Sequence, residues 1–167
     1  VVQDKISTDV VKQVSDAMVK QGLKDAGYNY LIIDDLWHAK NRHADGRPQE
    51  DPAKFPVGMK ATVDYAHSKG LKFGIYSDAA DRTCAGAFGS YGKEAIDAKQ
   101  YAEWGVDLLK YDYCHAPGDA ATAQVRYKAM GDALKASGRD ILLYMCEWGA
   151  REPWKWGSTT GSPVWRA

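Results

Sequence analysis

The sequence has no apolar run approaching the roughly 20 residues that span a bilayer, so no transmembrane helix and no membrane partner are expected. Charge bias is also missing. Lys and Arg total 22 against 22 Asp and Glu, with neither sign clustered, which argues against a nucleic-acid stripe or an anionic-membrane patch. EF-hand, His-x-x-x-His and Cys-x-x-Cys patterns are absent, so neither a metal nor another cofactor is expected. Low-complexity tracts are lacking too. Val1 to Lys5 does not read as a signal peptide, so any export signal is expected upstream or already removed.

What remains is an ordinary globular composition, 45% apolar and 26% charged over 167 residues. That is one domain's worth of chain, able to bury roughly 70% of its unfolded surface. The expected partner is a neutral molecule.

Helix, glycine and strand follow one another four times. Ser7 or Thr8 can cap a helix with Val10, Val14, Ala17 and Met18 at helical spacing, stopped by Gly22. Residues 28–37 hold a continuous apolar core, Tyr30-Leu31-Ile32-Ile33, which predicts a strand buried on both faces as in a parallel sheet. A polar loop over 38–55 leads to Pro56, suited to the first turn of a helix through Met59, Val63 and Ala66. Gly70 ends that helix, and 71–76 reads as a strand. The next pair is a helix over 90–104, stopped by Gly105, and a strand over 108–113. The last is a helix over 121–136 through Val125, Ala129 and Ala133, stopped by Gly138, and a strand over 141–146. Pro163-Val164-Trp165 begins a fifth strand after an irregular stretch over 151–157. Such alternation predicts a parallel α/β fold.

Every one of the four strands ends in acid: Asp34 and Asp35, Asp78, Asp112, Glu147. In parallel α/β folds these carboxyl ends share one face, where barrels and doubly wound sheets keep their sites. In residues 108–114, Leu-Leu-Lys-Tyr-Asp-Tyr-Cys, the period of two puts Lys110 and Asp112 on one face and Tyr111 and Tyr113 on the other. Buried together, the pair is either a structural ion pair or a site.

Converging carboxylates with a lysine fit three chemistries: metal binding, a phospho-acceptor aspartate in a receiver-like domain, or glycoside hydrolysis. Tyr76, Tyr111, Tyr113, Trp37 and Trp148 lie beside the acids in sequence, as expected where sugar faces stack on rings and carboxylates bind hydroxyls. Cys84 and Cys114 fall on the same face and are either bonded to each other or both free, with Cys146 the odd one. None of His38, His43, His67 and His115 has metal-ligand spacing; His38, following Asp34-Asp35-Leu36-Trp37, is the one on the acidic face.

Four segments carry a resemblance: Ile-Asp-Asp-Leu-Trp at 33–37, Gly-Leu-Lys-Phe-Gly-Ile-Tyr-Ser-Asp at 70–78, Lys-Tyr-Asp-Tyr-Cys at 110–114 and Cys-Glu-Trp-Gly at 146–149. In that order they resemble the α-galactosidase (melibiase) family of retaining glycoside hydrolases, glycoside hydrolase family 27. The resemblance implies a partial (β/α)8 TIM barrel with about five of the eight strands present, residues 1–167 lacking the first strand and the C-terminal strands. It makes Asp112 the nucleophile and gives Lys110 a sugar-binding role. Asp34 and Asp35 match the pair that grips the galactose 4- and 6-hydroxyls, and Tyr76 matches a wall of the pocket. Glu147 and Arg166 match positions near the 2-hydroxyl, a glutamate there favouring galactose over N-acetylgalactosamine. Cys84 and Cys114 match a disulfide beside the nucleophile.

The departures are specific. The family's acid/base aspartate falls just beyond Trp165-Arg166, the Trp-rich first strand would precede Val1, and Leu36 stands where many members have cysteine. The expected activity is cleavage of terminal α-linked galactose outside the cytosol, in a secreted or periplasmic setting, and this chain alone is expected to turn over ordinary galactosides weakly or not at all. The alternatives are α-N-acetylgalactosaminidase or β-L-arabinopyranosidase activity, or a non-catalytic sugar-binding or assembly fragment. An unclosed barrel is further expected to self-associate or to pair with the missing barrel segments.

Overall fold

The computed structural model describes residues 5–166. Four helices, α1 (Thr8–Lys20), α2 (Met59–Ser68), α3 (Glu94–Trp104) and α4 (Ala120–Ala136), alternate with strands β1 (Tyr30–Ile32), β2 (Lys72–Asp78), β3 (Leu108–Asp112) and β4 (Leu142–Cys146). Two 3₁₀ turns, Pro153–Lys155 and Gly157–Thr160, lead to β5 (Val164–Trp165). The strands form one sheet in chain order, every neighbouring pair parallel. This is the parallel α/β arrangement that the helix–strand alternation predicts, and it matches the partial barrel wall that the family resemblance implies.

Register divides the sheet into two unlike faces. On the helix side, Leu31, Phe73, Ile75, Leu109, Tyr111, Leu143 and Met145 are buried in one core with Met59, Val63, Tyr101, Tyr127 and Met130 of the helices. The opposite face carries Ile32, Gly74 and Leu108 side by side, then Tyr76 and Lys110, then Asp78, Asp112 and Cys146. Gly74 is required there, because a Cβ would stand 2.8 Å from Ile32 and 3.1 Å from Leu108. Toward the sheet edges this inner face is open: Tyr30 and Ile32 of β1 and Val164 of β5 are exposed.

That openness corrects the expectation of a first strand buried on both faces; only Leu31 of β1 is buried, because β1 is an edge strand here. The helix stripes also differ from the apolar spacing. On α1 the buried stripe is Thr8, Val11, Ser15 and Met18, while Val14 is exposed. The rotation is possible because its hydroxyls are satisfied, Thr8 Oγ1 by Thr62 Oγ1 at 2.8 Å and Ser15 Oγ by the Val11 carbonyl at 2.8 Å. On α4 it is Ala123, Tyr127, Met130 and Leu134 that are buried, and Val125 faces solvent. The second helix begins at Met59 rather than near Pro56, its first amide donating to Glu50 at 2.9 Å. Gly105 stops α3 as the sequence implies, in the left-handed conformation that glycine adopts without cost.

Long loops after β1 and β2 are locked by one buried ion pair. Arg42 gives both terminal nitrogens to Asp97 on α3, at 2.6 and 2.7 Å, and the same nitrogens reach the Gly46 and Gly89 carbonyls. Ser90 Oγ adds a 2.6 Å bond to Asp97, which is fully buried. At the other end of the strands, Asp107 joins His67, Arg139 and the Phe73 amide. Removing one partner of a buried pair strands the other charge, so Arg42→Ala is expected to cost about 3–5 kcal/mol of stability. Denaturant unfolding checks this; a loss under about 1 kcal/mol would show the pair to be dispensable.

Candidate active site

The carboxyl ends of β1 to β4 bring most of the acids together. Trp37 fixes the first set: its buried indole donates to the Tyr76 carbonyl at 2.8 Å, tying the Asp-Asp-Leu-Trp segment to β2. Its ring meets Trp104, Tyr101 and Phe88 edge-on, on the helix side. Leu36, between the acids and this anchor, adopts φ 71°. Among the described residues the non-glycine positions with such left-handed backbone are Leu36, His115, Trp148 and Glu152, all beyond strand ends on this face.

Asp34 and Asp35 separate at once. Asp34 is half-exposed and bonds Lys110 Nζ at 2.7 Å. Asp35 is buried, its oxygens accepting the Leu36 amide at 2.7 Å and the Ala85 amide at 2.8 Å, so it stitches the β1 end to the loop after β2. Lys110 also lies over the Tyr76 ring, 5.4 Å from its centroid.

Asp112 sits at the centre, 5% exposed. Its Oδ1 accepts the Tyr113 amide at 2.9 Å and its Oδ2 the Tyr76 hydroxyl at 3.1 Å. Burial pushes its carboxyl above the usual range, opposed by the Tyr113 amide, the Tyr76 hydroxyl, Lys110 and the Cys146 thiol. Lys110 therefore helps Asp112 ionise but does not dominate, because its direct ion pair is with Asp34. Tyr76 is itself driven far up by burial and by the carboxyls of Asp112, Asp35 and Asp78, which keeps it a hydroxyl donor.

Cys84 and Cys114 form a disulfide. Oxygens of Asp78 and Asp112 and the two sulfurs lie within 4.8 Å of one another. With the sulfurs bonded to each other, only the two carboxyls are left as donors, a poor set for a cation that takes six or more oxygens.

One expectation needs adjustment. Tyr111, Tyr113 and Trp37 do not offer faces to a sugar: Tyr111 and Tyr113 pack on Tyr127, and all three are buried in the helix-side core. Period two already assigns the two tyrosines to that side. His38 is buried, stacked 3.9 Å from Trp37, and burial drops its pKa to about 3, so it stays neutral.

Glu147 is fully buried, with Oε2 accepting the Arg151 amide at 3.0 Å and Oε1 unpartnered. It follows Cys146, and it is Cys146 that stands in register with Asp112. Arg166 is exposed and its Nη1 reaches Cys146 Sγ at 3.8 Å. Cys146 is thus the residue that sequence reasoning passed over. The signal was available, since alternation puts Tyr144 and Cys146 on the face of Lys110 and Asp112. Exposed Trp148 lies just beyond.

A family profile described as alpha galactosidase A matches residues 2–160. The chain is 46% identical over 161 residues to alpha-galactosidase A of Cellvibrio japonicus, covering 96% of this chain and 39% of that protein. Among solved structures it superposes on alpha-galactosidase I from Mortierella vinacea with TM-score 0.92 at 45% identity, covering 96% of this chain and 41% of that one. It also superposes on the Saccharomyces cerevisiae alpha-galactosidase solved with raffinose, with TM-score 0.91 at 39% identity, covering 96% and 36%. The chain therefore spans about two fifths of the length of the proteins it matches. With a site-bearing strand face of this kind and a profile match over nearly its whole length, the chain belongs to the alpha-galactosidase (melibiase) family of glycoside hydrolases.

Proposed function

We propose that this chain carries the nucleophile side of a retaining hydrolase of terminal α-linked galactose, and forms part of a catalytic barrel whose remaining strands lie outside residues 1–167. Asp112 supports the reading most directly. It is a buried carboxyl at a strand end, hydrogen-bonded by a phenol and a backbone amide, on a face open to a ligand.

A retaining glycosidase attacks the anomeric carbon with one carboxylate while a second carboxyl about 5–5.5 Å away protonates the leaving oxygen. Asp112 forms the glycosyl ester, and water later releases the sugar. By the family resemblance, the second carboxyl belongs just past Arg166. Asp34 and Lys110, paired and partly solvated, present an acceptor and a donor for sugar hydroxyls, and Tyr76 walls the site. Asp35 has both oxygens engaged by backbone amides, so it shapes the pocket and keeps its remaining lone pairs for a hydroxyl. Glu147 and Arg166 bear on the 2-hydroxyl side, Arg166 beside Cys146 and Glu147 through the loop that it orders with Arg151.

The bridged cysteines support a secreted or periplasmic setting. Among the described residues no helix is long and apolar enough to cross a membrane. The uncovered inner face and the β1 and β5 edges favour self-association of the isolated chain, or docking of the rest of a barrel.

Incubating the folded chain with an activated fluorogalactoside is expected to leave one glycosyl adduct on Asp112, found by intact-mass and peptide mass spectrometry, and none in Asp112→Asn. An adduct on another residue, or none, would count against the assignment. Asp112 must be ionised to react, so labelling falls as pH drops through its raised pKa. Tyr76→Phe removes a bond to the charged form and is expected to move that acid limb to higher pH, read from the labelling rate; an unmoved limb would dissociate Tyr76 from the nucleophile. Light scattering of the isolated chain is expected to show oligomers, and a stable monomer would refute self-association.

A further inference from the structure

Asp78 ends β2 directly opposite Asp112 in the parallel register, yet the chemistry above leaves it without a task. Its side chain is fully buried. Oδ2 accepts the Cys114 amide at 2.9 Å, while Oδ1 is buried with no hydrogen-bond partner among the described residues. Carboxyl oxygens of Asp78 and Asp112, together with both sulfurs of the disulfide, fall within 4.8 Å of one another.

Among the described residues no cation forms an ion pair or hydrogen bond with Asp78. Asp35 faces it from beyond β1, Tyr76 from β2, Asp112 and Tyr111 from β3, Tyr113 from just after β3, and Tyr127 from α4. Lys110 is ion-paired with Asp34 at 2.7 Å, and Arg126, still charged, points its Nη1 at the Ala79 carbonyl at 2.6 Å and not at the Asp78 carboxyl. Two carboxyls this close, with no cation between them, do not both ionise at neutral pH. Burial drives the Asp78 pKa up to about 8, with the Cys114 and Ala80 amides opposing and Asp112 and Asp35 adding to the rise. Asp112 has the better support for charge, from an amide, a phenol, a thiol and Lys110.

We propose that Asp78 is a positioning residue for Asp112. As a neutral acid it holds the Cys114 amide and the disulfide-bridged loop against the nucleophile's strand end, and leaves the pair's negative charge on Asp112. The role rests on the reading of Asp112 as nucleophile. Ionising Asp78 puts a second charge beside Asp112, and hydrating that charge requires water to part the ends of β2 and β3. The folded chain keeps a proton here that the unfolded chain releases. Stability therefore declines as pH climbs from the usual carboxylate range to about 8 and then levels.

The test follows the whole chain and its Asp78→Asn variant, with carbon-13 in the aspartyl carboxyls, by NMR from about pH 4 to 10, alongside fluorogalactoside labelling of Asp112. A carboxyl titrating near pH 8 is expected in the parent and missing from the variant. The Asp112 titration is expected to stay in place, because its neighbour is neutral in that range in both proteins. The parent's labelling rate is expected to fall about tenfold per pH unit above that titration, and the variant's to remain level. A downward displacement of the Asp112 titration in Asp78→Asn would show that Asp78 had carried the charge and would overturn the proposal, as would superimposable labelling profiles. If Asp78→Asn does not fold, the parent alone decides: no aspartyl titration above about pH 6 overturns the role. Absence of labelling in both proteins, with the pH 8 titration present, removes the nucleophile reading and the positioning role together but leaves the protonated Asp78 standing.

Discussion

In-register parallel pairing of β2, β3 and β4 is the constraint from which the site follows. Because Asp78, Asp112 and Cys146 are register partners, their side chains leave the sheet on the same face and at the same height. A slip of one residue would send Asp78, Asp112 or Cys146 into the helix-side core and bring forward Ser77 or Ala79 in β2, Tyr111 or Tyr113 in β3, or Met145 or Glu147 in β4. The register is held from the helix side, where Tyr111, Leu109, Ile75 and Phe73 of the strands share one core with Met59, Val63, Tyr101, Tyr127 and Met130 of α2 to α4. The acid-bearing face is thus held in order by apolar packing on the other.

A second layer of order comes from backbone amides that the acids themselves recruit. Asp35 takes the Ala85 amide, Asp78 the Cys114 amide, Asp112 the Tyr113 amide, and Glu147 the Arg151 amide. Each buried carboxyl fastens a loop, so the loops that would wall a ligand are set by the groups that would contact it. Arg42 and Asp97 do the same work farther out, joining the loop after β1 to α3. Left-handed backbone at Leu36, His115, Trp148 and Glu152 is sustained within this network.

Charge is distributed unevenly across the site, and burial explains how. Asp34 is solvated and paired, Asp112 is buried but well supplied with donors, and Asp78 is buried with one carboxyl oxygen unpartnered and, among the described residues, no ion pair. Environment makes three different groups of one residue type, the same effect that separates carboxyl roles in catalytic sites generally.

Much of this was legible along the chain. Strand positions, the parallel α/β class and the acid at each strand end follow from local pattern, because period, glycine stops and short apolar runs are properties of consecutive residues. Alternation alone put Lys110 and Asp112 on one side and the two tyrosines on the other, although their proximity in sequence to the acids invited the opposite use. Tertiary structure decided the rest. It chose Asp34 rather than Asp112 as the direct partner of Lys110, buried Thr8 and Ser15 where an apolar stripe was expected, brought Cys146 beside Asp112 and left Asp78 with no ion pair among the described residues. These outcomes depend on distances between residues far apart in the chain and on which polar atoms find partners there, and no local pattern encodes either.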